Sequence, residues 1–288
     1  MKTIAHPAFQ TASGAPVVRL GQGTWHLAEN HGRRSSEIAA LQRGIALGLN
    51  LIDTAEMYGS GRSEALIGEA IRGTDRASLY LVSKVYPHNA GRSNIFKSCE
   101  ASLKRLGTDY LDLYLLHWRG NVPLAETVSC MEELISRGLI RHWGVSNLDT
   151  SDMQELAGIT NGMHCVTDQV LYHLASRGVE FDLLPWLEAH QRTAMAYCPL
   201  AQFGDLDRGL IGNRGLTAVA RRHGASVAQI LLAFTLLREY VIPIPKSSSP
   251  DHTEDNAKAL SIDLTNEDIA ELSRDYPAPT RKTWLDIV

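Results

Sequence analysis

The sequence predicts an α/β fold closed as a (β/α)8 TIM barrel, with an N-terminal β-hairpin and extra C-terminal helices. Two observations carry this. Short apolar, β-prone runs alternate with stretches of helical periodicity along the chain, eight times over, as parallel strands joined by crossover helices require. The strands also end on polar, chemistry-bearing residues. Asp53, Lys84, His117, Ser146, Gln169, Tyr197 and Lys246 follow one another at intervals of 31, 33, 29, 23, 28 and 49 residues, one strand–helix unit apiece with an insertion before the last. An open doubly wound sheet and a closed barrel both fit the alternation, but only the barrel gathers all these strand ends at one mouth.

The elements follow in order. Ser13-Gly14-Ala15-Pro16 is a turn signal between β-prone runs and predicts a hairpin over residues 7–20. Val17–Gly21 reads as a strand, and Ser35 and Ser36 as caps for a helix through Ile38, Leu41, Ile45 and Leu49. The next strand, Leu51–Asp53, stops on a carboxylate, with Tyr58 five residues further on. A helix from Ser63 closes near Gly73, and Leu79–Lys84 is a strand ending in lysine. Helix Asn94–Leu106, strand Leu111–His117, helix Leu124–Arg137, strand Arg141–Val145, helix Asp149–Ala157, strand Val166–Leu171, helix Phe181–His190 and strand Thr193–Tyr197 continue the alternation. Gly107 and Gly138 mark helix ends. Two helices, Leu216–His223 and Val227–Leu237, precede the last strand at Val241–Pro245, and helices at Asp251–Leu260 and Thr265–Leu272 complete the chain. No linker divides it, so residues 1–288 are expected to form a single barrel domain.

Composition sets the class. Apolar residues make up 44% of the chain and charged residues 21%, enough for a large core under a polar surface. A net charge of −4, with no block of Lys or Arg, argues against nucleic acid as a partner. No apolar run approaches the roughly 18 residues of a membrane span, and the N-terminus lacks a signal-peptide pattern. Cys99, Cys130, Cys165 and Cys198 form no CxxC pair and fit free thiols in a reducing cytoplasm. A cytoplasmic protein with a small-molecule partner is expected, monomeric by default. The histidines, cysteines and acids show no metal-ligand spacing, so no metal is expected. The stretches from Gly21 and from Gly59 begin like dinucleotide fingerprints but lack the third glycine.

Asp53, Tyr58, Lys84 and His117 make sense as one catalytic group. A phenol is a weak acid, with a pKa of about 10. An adjacent ammonium, Lys84, favours the phenolate, while burial opposes it, and Asp53 keeps the ammonium charged and aimed. His117 offers a ring N–H to a carbonyl. Such a set donates a proton to a carbonyl that is becoming an alkoxide.

The motifs make the reading specific. Gly-Thr-Trp (23–25), Asp-Thr-Ala-x-x-Tyr-Gly (53–59), Ser-Lys (83–84), Leu-His-Trp (116–118), Gly-Val-Ser-Asn (144–147), Asp-Gln (168–169), Tyr-Cys-Pro-Leu (197–200) and Ile-Pro-Lys-Ser (244–247), in that order, resemble the aldo-keto reductases over nearly the whole chain. The resemblance implies a barrel that binds NADP(H), with NAD(H) as a second option, and reduces an aldehyde or ketone. It makes Tyr58 the general acid, Lys84 and Asp53 its tuning pair and His117 the carbonyl-orienting group. Tyr197 would stack on the nicotinamide, with Ser146, Asn147 and Gln169 holding its carboxamide. Gly23, Thr24, Trp25, Asp53, Pro199 and Leu200 would complete the cofactor's bed, under a loop from Leu200 to Gly212. Trp25, Tyr58, His117 and Trp118 would wall the substrate pocket, and the short tail, Tyr276–Val288, implies an open cleft. Lys246 and Ser247 would meet the 2′-phosphate, and Asp255 and Asn256 the adenine. Where the resemblance places an arginine on that phosphate, this chain has His252. An alternative within the superfamily is a subunit that senses NADPH with little turnover; the intact proton donor favours an enzyme.

Overall fold

The computed structural model describes residues 1–201, 209–210 and 212–288. Eight strands lie in sequence order in one parallel sheet: β1 (Gln22–Gly23), β2 (Leu51–Asp53), β3 (Tyr80–Val85), β4 (Leu111–Leu116), β5 (Ile140–Ser146), β6 (Thr167–Leu171), β7 (Thr193–Tyr197) and β8 (Val241–Pro243). The sheet closes on itself. Gly21 and Gly23 donate backbone N–H groups to Pro243 and Pro245 carbonyls at 2.9 and 3.0 Å, and Gly23 bridges Lys246 in parallel. Gly23 is required there, because a Cβ at that position would lie 2.4 Å from the Ile244 carbonyl oxygen.

Helices α1 (Arg34–Ala46), α2 (Arg62–Ala70), α3 (Ile95–Leu106), α4 (Leu124–Ser136), α5 (Thr150–Ala157) and α6 (Leu183–Ala189) follow strands β1 to β6 in turn. Two helices, α7 (Arg214–Arg222) and α8 (Val227–Thr235), separate β7 from β8, and α9 (Pro250–Ala257) and α10 (Asn266–Asp275) follow β8. The barrel and its extra C-terminal helices are thus as expected.

Strand alternation sets the chemistry. Along β3, Tyr80 and Val82 join the cluster that fills the barrel, with Leu51, Leu113, Leu115, Met195 and Ile242, whereas Leu81 and Val85 face the helices. The same inward phase carries the chain from Leu51 to Asp53, Val82 to Lys84, Leu115 to His117 and Met195 to Tyr197. Each interior row therefore ends on a polar side chain at the C-terminal mouth.

The N-terminal segment closes the opposite end. Ile4, Ala8, Phe9 and Val17 pack into the barrel floor, where Phe9 stacks on Tyr80 at 5.3 Å and the Tyr80 hydroxyl donates to the Ala8 carbonyl at 2.9 Å. The expected hairpin is reduced to two antiparallel bridges, Thr3–Val18 and Gln10–Pro16. The strand expected at Val17–Gly21 lies later, at Gln22–Gly23, because Val17 is used by this floor, Val18 packs separately with Leu20 and Leu49, and register with β2 begins only at Gln22 opposite Ile52. Ser35 and Ser36 fall inside α1; Asn30 caps the short 3-10 turn ahead of it instead, accepting from Gly32 N.

Among the described residues no helix is long and apolar enough to cross a membrane. Cys99, Cys130, Cys165 and Cys198 are buried and none is in a disulfide.

Candidate active site

Beyond β2 the chain makes a tight turn, Tyr58–Gly61, in which Gly59, Ser60 and Gly61 all have positive φ (56°, 56° and 85°). The turn returns the Tyr58 phenol over the end of β3. There Lys84, with no solvent exposure, directs Nζ to Asp53 Oδ2 at 2.8 Å, the Thr54 carbonyl at 2.8 Å and the Tyr58 hydroxyl at 3.1 Å. An ammonium has three hydrogens, and each has an acceptor. The Tyr58 oxygen therefore accepts from Lys84, and its own hydrogen is free for the cavity that Tyr58 lines. Asp53 is fixed on its other oxygen by Gln169 Nε2 at 2.8 Å.

Burial pushes Lys84 down and Asp53 up, while their mutual attraction opposes both shifts. Burial is also the largest influence on Tyr58, whose pKa stands well above its ordinary value, with Asp53 and Cys198 pushing the same way. The depression expected from Lys84 thus does not prevail, and at rest the phenol keeps its proton. His117 is pushed down to about 2 by burial and then by Lys84, so its imidazole is neutral. Its ring meets Tyr58 edge-on at 5.7 Å, and its buried Nδ1 has no hydrogen-bond partner among the described residues.

These groups open onto a cavity of about 720 Å³ at the barrel mouth. Trp25, Trp118 and Met57 wall it near Tyr58 and His117. Ser146, Asn147, Gln169 and Tyr197 line it from β5 to β7, and Lys246, Ser247, Ser248 and His252 from the segment after β8. Gly23, Thr24, Pro199 and Leu200 are also on its wall. Asn147 is held in the left-handed region (φ 59°); it receives the Tyr197 hydroxyl at 2.8 Å and donates to the His117 carbonyl at 3.3 Å. Ser146 Oγ donates to the Gln169 carbonyl at 2.8 Å. Cys198 (φ 49°) and Ala201 (φ 52°) on the same wall are likewise left-handed, a costly backbone for residues with a Cβ and one that clusters at functional sites.

Two expected cofactor-binding residues are not on this wall. Asp255 turns toward α8, where it receives Gln229 Nε2 at 3.0 Å, and pairs with Lys258. Asn256 lines a separate small cleft with Leu20, Gly21 and Thr253. Of the three, only His252 lines the cavity. Lys84 is likewise not on the wall; it acts from behind Asp53 and Tyr58. The tail itself reaches the cavity: Ile287 and Val288 line it, and Asp286 anchors this segment to Ser176 at 2.5 Å. Arg119, Val227 and Leu231 are further wall residues that no motif marked, since only the fold brings them there. Trp143 is core, buried with its Nε1 on Glu132 at 2.7 Å. The expected cover from Leu200 to Gly212 lies mostly outside the described residues. Among the described residues no group of three or more His, Cys, Asp or Glu is placed to hold a metal ion.

Residues 19–275 match the model of the Aldo/keto reductase family. The chain belongs to the aldo/keto reductase family. This aldo/keto reductase is 52% identical over 280 residues to "Methylglyoxal reductase YeaE" of Escherichia coli K12, covering 97% of this chain and 98% of that protein. It is 30% identical over 274 residues to "Glyoxal reductase" of Bacillus subtilis, covering 94% of both. A crystal structure of an aldo/keto reductase from Klebsiella pneumoniae, in complex with NADP and acetate, is 52% identical and superposes with a TM-score of 0.95 over 100% of this chain and 99% of that one. The family, the barrel fold and the enzyme class read from the sequence motifs are thereby established.

Proposed function

We propose that this chain uses NADPH to reduce small aldehydes and ketones, 2-oxoaldehydes such as methylglyoxal foremost among them. The observation that carries it is the single contact point of Lys84 Nζ with Asp53, Thr54 and Tyr58, directly behind the cavity wall that Tyr58 shares with His117 and Tyr197. The relatives named for methylglyoxal and glyoxal reduction point to the substrate class.

The donor set fits a reduced nicotinamide dinucleotide. Asn147 and Gln169 amides, the Ser146 hydroxyl and a flat phenol ring, Tyr197, line the cavity from β5 to β7, and an ammonium, two hydroxyls and an imidazole line it from the segment after β8. Tyr197 gives the nicotinamide ring one face to rest on, and Gln169, whose Nε2 is used by Asp53, has its carbonyl oxygen left for the carboxamide. Lys246, Ser247 and His252 receive the 2′-phosphate. When bound, the cofactor supplies a hydride.

The protein's part is positioning and proton delivery. His117, neutral, donates a ring N–H to the substrate carbonyl oxygen and fixes it against Tyr58. Tyr58 enters the reaction protonated, because burial holds its pKa high. As negative charge develops on the carbonyl oxygen, Tyr58 gives up its proton and Lys84, 3.1 Å away, stabilises the phenolate left behind. Trp25, Met57 and Trp118 keep water from the reacting carbon.

Tyr58→Phe tests this, because it keeps the ring and removes the proton. NADPH oxidation with methylglyoxal should fall about 10²–10⁴-fold while NADPH still quenches the protein's fluorescence. Retained turnover removes Tyr58 from this role.

A further inference from the structure

The helix after the Tyr58 turn carries a second buried carboxylate that the chemistry above does not use. Glu64, in the first turn of α2, has no solvent exposure. Its Oε1 accepts from Ser83 Oγ at 2.6 Å, and Ser83 is the residue before Lys84 on β3, facing outward where Lys84 faces inward. Its Oε2 accepts from Arg105 Nε of α3, also at 2.6 Å. Arg105 reaches it across Gly61, the last residue of the Tyr58 turn; a Cβ there would lie 2.6 Å from the Arg105 side chain. The preceding residue, Ser63, has its Oγ 2.9 Å from Thr24 Oγ1 and 3.2 Å from Thr54 Oγ1, all three side chains buried. Thr54 is the residue whose carbonyl receives Lys84.

We propose that Glu64 is a positioning residue for the proton-donor pair, joining the Tyr58 turn to the end of β3 through Ser83 and Arg105 and placing a second negative charge on the far side of the wall from Lys84. The proposal rests on the reading of Tyr58 and Lys84 given above. The clamp acts with the Glu56 N–H, which donates to the Lys84 carbonyl at 3.3 Å, in holding the turn against the end of β3. Asp53 alone is one acceptor for the ammonium; Glu64 attracts it from behind and favours its charged form. The other groups around Lys84 leave this role to Glu64. Tyr58 and His117 face it from the turn and from the end of β4. Cys99 and Tyr114, which pack behind with Glu56, are held neutral by burial. Cys198 faces Tyr58 and is pushed up to about 12. Glu56 is engaged by Tyr86 N and Asn89.

The test is the pH profile of kcat for aldehyde reduction, measured on Glu64→Gln, on Ser83→Ala and on the double variant Glu64→Gln/Arg105→Met. The double variant removes the ion pair as a unit if the single one fails to fold. Losing the Glu64 charge weakens the hold on the Lys84 proton, so the alkaline limb of kcat should move to lower pH by about 0.5–1 unit. The KM for NADPH should stay within about twofold and kcat at pH 7 should fall about tenfold. Ser83→Ala, which loosens the clamp but keeps the charge, should lower kcat several-fold without moving the limb. A native limb in the charge-removing variants overturns the proposal, whatever their stability. Tyr58→Phe is run alongside: if it stays active the proton-donor reading fails, whereas collapse in Tyr58→Phe with native Glu64 variants defeats this inference alone.

Discussion

Replacing Lys84 by Met separates what the buried ion pair does for folding from what it does for catalysis. The substitution removes three contacts at once, with Asp53 Oδ2, the Thr54 carbonyl and the Tyr58 hydroxyl. Deleting one member of a buried pair typically costs about 3–5 kcal/mol, because the surviving charge is left without its partner. Here the lower end applies. Asp53 keeps Gln169 Nε2 at 2.8 Å, and its pKa, already raised by burial, lets it take up a proton instead of standing charged. About 3 kcal/mol is nevertheless a large part of the 5–15 kcal/mol that holds a typical protein folded.

The measurement is urea unfolding of wild type, Lys84→Met, Asp53→Asn and the double variant, with kcat recorded for each. The double variant leaves neither charge behind, so its loss should fall short of the summed single losses by about 1.5–3 kcal/mol. Turnover should drop about 10²–10⁴-fold in every variant lacking Lys84. The pH dependence has a definite sign. In Lys84→Met the folded pKa of Asp53 exceeds its unfolded value, so that group favours folding at low pH and ceases to as pH rises through the folded pKa. The gap to wild type should therefore narrow between pH 8 and pH 5. Additive losses, or a gap that widens on acidification, would refute the account of Asp53 and Lys84 as a coupled pair.

Three further outcomes are expected. With His117 pushed down to about 2, the kcat of reduction should show no histidine limb between pH 5 and 8, and His117→Ala should lower kcat about 10²–10³-fold; a limb near pH 6.5 that vanishes in the variant contradicts a neutral imidazole. His252→Arg restores a forked, permanent charge on the cavity wall and should raise the kcat/KM preference for NADPH over NADH about tenfold to hundredfold, an unchanged ratio excluding residue 252 from the phosphate. Asp268 ties α10 to α7 through Arg222 and His223 and caps α10 with Thr265, contacts that hold its carboxyl below the usual carboxylate range although burial opposes them. Its stabilisation is present at neutral pH and is lost as pH falls through the carboxylate range, so the melting temperatures of wild type and Asp268→Asn should differ at pH 7 and converge at low pH.

The mouth of the barrel was legible because strand alternation is a local rule. On β2, β3, β4 and β7 an inward apolar residue leads, two positions later, to a polar one, and Asp53, Lys84, His117, Ser146, Gln169 and Tyr197 could be read off without any long-range contact. What failed depends on geometry that the residue types do not encode. Val17–Gly21 looks like a strand, but the barrel floor uses Val17, and the pairing starts at Gln22. Asp255 and Asn256 sit three and four residues beyond His252, yet of the three only His252 meets the cavity, Asp255 being engaged by Gln229 and Asn256 lining a separate cleft. The left-handed backbones at Asn147, Cys198 and Ala201 carry no glycine to announce them. The tail's length said nothing of its path, which Asp286 and Lys282 direct across the barrel mouth through Ser176, Asp149 and Asp182.

The sign of the Tyr58 shift could not be read locally either. A lysine beside a tyrosine predicts an acidic phenol, and in water that contact would decide the matter. Inside the barrel burial raises the phenol most, and Asp53 and then Cys198 push it the same way. The resting phenol is therefore a worse acid than free tyrosine, and this suits a donor. In the proposed mechanism it stays protonated across the whole neutral range, and Lys84 would act only as the proton departs, when the oxygen it already touches becomes an anion. An interaction stronger in the transition state than in the resting enzyme raises kcat, whereas a phenol already ionised at pH 7 would have nothing to give.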